Sequence, residues 1–180
     1  MRPTINRGVG IDLGDGRFLT AAHVVDVDLR VLTVDQHPAV VVALDEQLDL
    51  AVLALDDNDD DDNDLTGSSR PIGPAPTAPP VPGPVAVLTA DGLIETEILR
   101  VLTLRVNDVS ALAVHERPAL ELGYRADPGH SGAPVLDASG AIVGVVVLSD
   151  PSGQRSYAVR PPASTSELPT VEPRHGCSRG

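Results

Sequence analysis

The chain is poor in the residues that mark disulfide-stapled or aromatic-rich proteins. Among its 180 residues there is one cysteine, no tryptophan, and only three other aromatic residues, Phe18, Tyr124 and Tyr157. The single Cys177 cannot form an intramolecular disulfide, so the sequence gives no sign of an oxidising compartment. A core with so few aromatic rings has to be built from valine, leucine, isoleucine and alanine, a composition that suits β-structure.

Long apolar runs are absent as well. No stretch of about 18 consecutive apolar residues occurs, which is the length that a membrane-spanning helix needs. The first residues, MRPTINRGVG, lack the apolar segment of a secretory signal peptide. We therefore expect no membrane partner and no export, and hence a cytoplasmic location.

Basic residues are scarce too, at 13 against 26 acidic ones, giving a formal net charge of -13. Seven of the acidic residues lie in one run, 56–64 (DDNDDDDND), whose like charges repel and favour a solvated loop. Without a basic stripe, nucleic acid is not an expected partner. The acidic run also lacks the glycine and glutamate positions of a calcium-binding loop, so we expect neither a metal site nor a cofactor.

What the chain does contain is a series of short, β-branched apolar segments separated by turn residues. Examples are RFLTAA, AVVVAL and DLAVLAL before residue 56, and PVAVLT, PALELGY and AIVGVVVLS after residue 84. No segment has long helical periodicity, so the predicted class is all-β. The composition divides the chain into a β-unit over 1–55, an acidic and Pro-rich linker over 56–84, a second β-unit over 85–160 and a disordered tail over 161–180.

Three polar residues stand in segments that suit acyl transfer. His23 lies in LTAAHVV, Asp49 opens DLAVLAL, and Ser131 stands in the small-residue loop ADPGHSGAP. Acyl transfer to a serine needs a base for the hydroxyl proton, a carboxylate that orients the base, and N–H donors for the oxyanion. Each signal is weak alone, but the order His, Asp, Ser along the chain matches one known catalytic arrangement.

Together, LTAAHVV, DLAVLAL and PGHSGAPVLDASGAIVGVVV resemble the His, Asp and Ser segments of chymotrypsin-fold serine proteases, in particular HtrA-like and bacterial trypsin-like peptidase domains. The resemblance covers about residues 8–160 and leaves no room for a PDZ domain. It implies two antiparallel β-barrels with the site in the cleft between them. It also implies a serine endopeptidase that cleaves peptide or protein substrates through an acyl-enzyme intermediate.

Carried over residue by residue, the resemblance implies catalytic roles for the three polar residues. Ser131 would be the nucleophile, His23 the general base and then acid, and Asp49 the group that orients His23. The backbone N–H groups of Gly129 and Ser131 would form the oxyanion hole. Gly132 would allow the substrate to approach closely.

The same resemblance places Val147, Leu148 and Ser149 beside the substrate backbone and Tyr157 on the far side of the pocket. Arg125 stands where trypsin-like members have the base of the primary pocket. Three interpretations of Arg125 remain open from the sequence. Its cation selects an acidic substrate side chain, its aliphatic stem shortens the pocket, or the side chain points to solvent.

The sequence also departs from the family pattern. Ala133 replaces the second glycine that many relatives have after the serine, which adds a methyl group behind the nucleophile. His130 replaces the aspartate of digestive members and is expected to pack in the loop. Only seven residues precede Gly8, so we expect a shortened first barrel.

These departures leave an alternative function, a catalytically weak or inactive module that binds peptides or a partner protein. The oligomeric state stays open.

Overall fold

The computed structural model describes residues 6–25, 31–56, 81–107, 114–150 and 152–171. In these residues the chain forms eleven β-strands and two short 3₁₀ helices, so the predicted all-β class is confirmed. The 3₁₀ helices are Ala22–Val24 and Thr165–Glu167. The strands are β1 (Ile11–Gly14), β2 (Arg17–Ala21), β3 (Thr33–Val34), β4 (His37–Asp45), β5 (Leu50–Leu55), β6 (Gly83–Thr89), β7 (Gly92–Asn107), β8 (Val114–Leu122), β9 (Pro134–Leu136), β10 (Ile142–Ser149) and β11 (Ser156–Val159).

The first five strands form one antiparallel sheet in the order β1-β2-β5-β4-β3. Strand β5, with the sequence LAVLAL, lies at its centre because both of its faces are apolar. Leu50 and Val52 pack into one hydrophobic cluster, whereas Ala51 and Leu53 pack into another. Among the described residues this sheet is an open half-barrel, in agreement with the shortened first barrel that we expected.

The remaining six strands close into a barrel in the order β10-β11-β8-β7-β6-β9. Strand β7 is 16 residues long and pairs with β6 along its first half and with β8 along its second half. Closure leaves no free sheet edge over most of the barrel, and side chains from all sides fill its interior. The predicted fold of two antiparallel β-barrels is therefore confirmed, with the first one curtailed.

A single apolar cluster joins the two barrels. Ile11 and Leu50 of the first sheet pack in the same cluster as Val145 and Val159 of the second barrel, and all four are at most 2% exposed. A shared, close-packed core has low compressibility and holds the barrels at a fixed separation. Side chains that face each other across the cleft are therefore held at reproducible distances.

The tail that the sequence predicted as disordered is partly ordered, which is a correction. Residues 161–171 contain the Thr165–Glu167 helix, which Ser164 caps in a capping box. Leu168, 3% exposed, packs into the shared cluster, and Thr170 forms a β-bridge with Ala43. The buried leucine and the β-bridge together attach this polar segment to the fold. Residues 172–180 and most of the predicted linker lie outside the described residues.

Across the described part of the chain, no helix has the length and apolar character needed to cross a membrane.

Candidate active site

Asp49 lies in the tight turn that links β4 to β5. The turn is held by a side-chain bond, since the N–H of Leu48 donates to Asp45 Oδ1 at 2.8 Å. Asp49 itself has a left-handed backbone with φ of 59°, a conformation that non-glycine residues adopt at some energetic cost. Its carbonyl accepts the N–H of Ala22 at 2.9 Å. The turn therefore brings the Asp49 carboxylate against the 3₁₀ helix that follows β2.

His23 occupies that 3₁₀ helix and binds Asp49 twice. Its backbone N–H donates to Asp49 Oδ1 at 2.9 Å, and its ring Nδ1 lies 2.8 Å from Asp49 Oδ2. On the other side of the ring, Nε2 lies 2.8 Å from Ser131 Oγ. Residues that are 26 and 108 positions apart in the sequence thus form one hydrogen-bonded chain across the cleft.

The backbone around Ser131 is fixed by the segment before β1. The N–H of Val9 donates to the Ser131 carbonyl at 2.8 Å, and Gly132 donates to the Val146 carbonyl at 2.8 Å. A Cβ added at Gly132 would lie 2.1 Å from the Val9 carbonyl oxygen. Close packing against Val9 therefore requires glycine at position 132. The closer approach of a substrate that we expected from Gly132 stays a prediction.

The methyl group of Ala133 fits without crowding Ser131. Ala133 is fully buried and packs into the interior cluster of the second barrel, together with Val135 and Val146. Its N–H donates to the carbonyl of His130 at 3.0 Å. The side chain therefore points into the barrel core, and the departure from the double-glycine pattern has a packing reason.

Residues 127–131 form a compact loop that ends at Ser131. His130 is buried, its Nδ1 accepts the N–H of Asp127 at 3.2 Å, and its ring stacks on Tyr124 with a centroid separation of 6.3 Å. Gly129 has φ of 102°, which requires glycine at this position. Within the described part of the chain, no hydrogen bond uses the N–H of Gly129 or of Ser131. Both donors thus lack a backbone acceptor within these residues.

The chain is similar to proteins of a known family. A family model described as the trypsin-like peptidase domain matches residues 8–145, well over half of the chain. The chain belongs to the trypsin-like peptidase domain family. Its enzyme class is accordingly that of the serine peptidases. No match was found among curated proteins.

Solved structures of trypsin-like peptidase domains share the fold. The active form of the Rv3671c protease from M. tuberculosis matches with a TM-score of 0.71 and 20% identity, covering 93% of this chain and 76% of that one. A serine endoprotease from Yersinia pestis matches at 0.55 and 21% identity, covering 85% and 53%. A human pathogenic astrovirus serine protease matches at 0.53 and 21% identity, covering 86% and 83%.

The predicted substrate-binding residues of this peptidase domain differ in how deeply they are buried. Leu148 and Ser149 are exposed, and Ser149 Oγ donates to the Ala126 carbonyl at 3.0 Å. Tyr157 is half-buried and pairs with Leu148 across β10 and β11. Val147, in contrast, is 3% exposed and belongs to the shared core cluster. Its side chain therefore contributes to packing.

Arg125 points to solvent. Its side chain is 69% exposed and forms a loose ion pair with Asp127 at 3.6 Å. A Cβ added at Gly153 would lie 3.6 Å from the guanidinium carbon, so the Arg125 side chain runs past Gly153. Of the three interpretations open at the sequence level, this placement corresponds to the third. It supplies no cation at the base of a pocket.

The structure also brings Arg117 to the site, a residue that sequence reasoning did not single out. This β8 residue is 6% exposed, and its Nη1 lies 3.3 Å from Asp49 Oδ2. One sequence feature could have identified Arg117 as an inward-facing residue. In HERPALEL it stands two residues before the buried Ala119 and therefore lies on the same face of the strand. That spacing indicates an inward-facing cation, but it does not indicate which carboxylate the cation meets.

Proposed function

We propose that this domain is an active serine endopeptidase that uses Ser131 as nucleophile, His23 as base and Asp49 as the orienting acid. The observation that carries the proposal is the continuous chain of side-chain contacts, 2.8 Å from Asp49 Oδ2 to His23 Nδ1 and 2.8 Å from His23 Nε2 to Ser131 Oγ. These distances lie within the reach required for proton transfer from a hydroxyl to a general base.

In the first half-reaction, Ser131 Oγ attacks the carbonyl carbon of the scissile peptide bond while His23 Nε2 takes the hydroxyl proton. The C–O bond forms, and the carbonyl oxygen gains the negative charge. His23 then gives its proton to the departing amine nitrogen as the C–N bond breaks, which leaves an ester on Ser131. Water attacks this ester by the same sequence of proton transfers and releases the carboxylic acid.

Asp49 has two tasks in this scheme. Its contact with Nδ1 keeps the proton of neutral His23 on that nitrogen, so Nε2 is the free acceptor that faces Ser131. Its negative charge stabilises the imidazolium that forms when His23 takes the serine proton. The second bond, from the His23 backbone N–H to Oδ1, prevents the carboxylate from rotating away.

The oxyanion would be bound by the N–H groups of Gly129 and Ser131. Two observations support this assignment: the positive φ of Gly129, and the lack of any other hydrogen bond to these two donors within the described residues. Removal of one such donor in related chemistry costs about 100- to 1,000-fold in rate. Preorganised backbone donors are effective because they need no reorientation during the reaction.

An extended peptide is the substrate that the cleft best fits. Strand β10 pairs with β9 only over Ile142 to Val145, and beyond Val146 that edge has no strand beside it in the described part of the chain. A substrate backbone can pair there with the peptide groups of residues 147–149, as in other cases of strand addition. Tyr157, on the neighbouring strand, would border the side-chain pocket.

A fluorophosphonate probe tests the assignment directly, because it phosphonylates only a serine that an adjacent base activates. We expect stoichiometric labelling of the wild-type chain at Ser131, located by peptide mass spectrometry, and none in Ser131→Ala. His23→Ala is expected to label about 100-fold more slowly or worse, the usual contribution of a general base. A denatured protein substrate digested in parallel should yield internal peptide cleavages.

The opposite result is equally informative. If the wild-type chain is folded by circular dichroism and yet neither labels nor cleaves, the proposal fails, and a binding module that keeps the protease fold takes its place.

A further inference from the structure

Arg117 differs from the other arginines whose ion pairs are described. Its side chain is 7% exposed, whereas Arg100, Arg105, Arg125 and Arg155 are between 46% and 75% exposed. Burying a guanidinium is costly unless it is paired and hydrogen-bonded, so a buried arginine calls for specific partners. Surface pairs of the exposed kind contribute little to stability.

The partners of Arg117 belong to the other barrel. Nη1 lies 3.3 Å from Asp49 Oδ2, and Nη2 donates to the Glu46 carbonyl at 3.3 Å. The planar fork of one guanidinium therefore spans both sides of the turn that presents Asp49. Beside this contact, Gln47 Nε2 donates to the Glu116 carbonyl at 3.4 Å. The β4–β5 turn is thus attached to strand β8 at neighbouring points.

The reach of Arg117 comes from the length of the β7–β8 ladder. Strand β7 extends over 16 residues, and its register pairs Leu104 with Arg117 and Arg105 with Glu116. Because strand residues alternate between faces, Glu116 points to solvent while Arg117 points toward the first barrel. The Arg117 guanidinium of the second barrel thereby reaches the Asp49 carboxylate of the first barrel.

We propose that Arg117 is a positioning residue for the reaction and holds the Asp49 carboxylate with Oδ2 facing His23 Nδ1. The inference rests on the proposed function. Asp49 sits in a left-handed backbone conformation, and within the described residues its other side-chain hydrogen bonds come from His23, the group that it must orient. Arg117 supplies an anchor independent of His23, and it couples the position of Asp49 to the barrel that contains Ser131.

The test compares second-order rate constants for fluorophosphonate labelling of Ser131. Arg117→Met keeps most of the side-chain volume and removes the fork, and we expect labelling to slow by about 10- to 100-fold, the range for misplacing a catalytic group. Arg105→Met is the matched control on the same ladder, because Arg105 is 75% exposed and its ion pair with Glu116 faces solvent. The control should label at the wild-type rate.

A double-mutant cycle separates positioning from a general structural role. If Arg117 acts through Asp49, Arg117→Met should slow labelling less than 2-fold further once Asp49→Ala is present. The same substitution should raise the melting temperature of Asp49→Ala, because it removes a buried cation left without its carboxylate. Equal slowing in both backgrounds would show that Arg117 acts elsewhere and would overturn the inference.

Arg117→Lys keeps the charge but cannot span Asp49 and Glu46 together, so we expect a labelling rate between those of Arg117→Met and wild type. This variant also decides the matter if Arg117→Met does not fold, since a wild-type rate in the lysine variant would refute the proposed geometry. If wild-type chain fails to label at all, the proposed function has failed. If wild type labels and folded Arg117→Met labels equally fast, only the inference about Arg117 has failed.

Discussion

Tyr124 lies against the 127–131 loop, where its ring stacks on His130 and its hydroxyl is buried without a hydrogen-bond partner among the described residues. The residue is 9% exposed, and burial raises the pKa of Tyr124 to about 12, above the usual tyrosine value of 10.0. Water stabilises a phenolate better than this barrel interior does, so the neutral form is favoured in the fold. Tyr124 is buried in the fold, whereas Tyr157 is only half-buried, and the sequence alone does not show this difference.

This environment predicts an alkaline loss of stability. Tyr124 ionises near pH 10 in the unfolded chain and near pH 12 in the folded chain. The free energy of unfolding is therefore unaffected by this ionisation below pH 10 and decreases as the pH rises from 10 toward 12. Tyr124→Phe should therefore flatten the decline between pH 10 and 12 in urea unfolding. It should unfold at pH 8 with a free energy within about 1 kcal/mol of wild type, because it also removes an unpaired hydroxyl.

A large loss of stability at pH 8 in Tyr124→Phe would mean that the hydroxyl has a partner after all.

Residues 161–171 form a largely polar segment that binds β4 and places one leucine in the shared core. Its carbonyl at Pro169 accepts the N–H of Leu44, and the N–H of Val171 donates to the Val42 carbonyl. Leu168 packs into the shared core between these two bonds and the capped 3₁₀ helix. The segment therefore covers β4 of the half-barrel, on which no further strand lies at this point in the described residues.

Leu168→Ala should lower the free energy of unfolding by about 2–4 kcal/mol, the usual cost of truncating a buried leucine. The matched control is Leu93→Ala at the β6–β7 hairpin, where the side chain is 59% exposed and truncation should cost under about 0.5 kcal/mol. Chemical denaturation of both variants at pH 8 measures the difference. Equal effects would mean that the segment is not docked.

At the scale of the whole molecule, the site and the core both cross the boundary between the barrels. His23 and Asp49 come from the first sheet, whereas Ser131 and Arg117 come from the second barrel. The apolar cluster behind them is likewise built from both. Loss of packing in either barrel would therefore separate His23 and Asp49 from Ser131, so the proposed catalysis depends on the assembled pair of barrels.

This shared core predicts one cooperative unfolding transition. Heat or urea should unfold both barrels together, with coincident loss of the β-sheet signal and of fluorophosphonate labelling. Val145→Ala, at a fully buried position of the shared cluster, should lower the single midpoint by an amount corresponding to about 1.5–3 kcal/mol without splitting the transition. Two resolved transitions would contradict the shared-core interpretation.

Much of the fold was predictable because its signals are local. Runs such as LAVLAL and IVGVVVLS combine β-branched side chains with bounding turn residues, and they form β5 and β10. The segments of His23, Asp49 and Ser131 were recognisable for the same reason, since each is a short stretch with a distinctive residue order. Their catalytic roles stay predictions that the labelling experiment tests.

Tertiary structure alone decided the features that depend on strand register and on packing between distant segments. The contact of Arg117 with Asp49 joins residues 68 positions apart, and it requires the β7–β8 ladder to extend past the barrel. The solvent-facing side chain of Arg125 and the close approach of Val9 to Gly132 also depend on neighbours far along the chain. Periodicity shows which face of a strand is buried, but the partner across that face is set by three-dimensional packing.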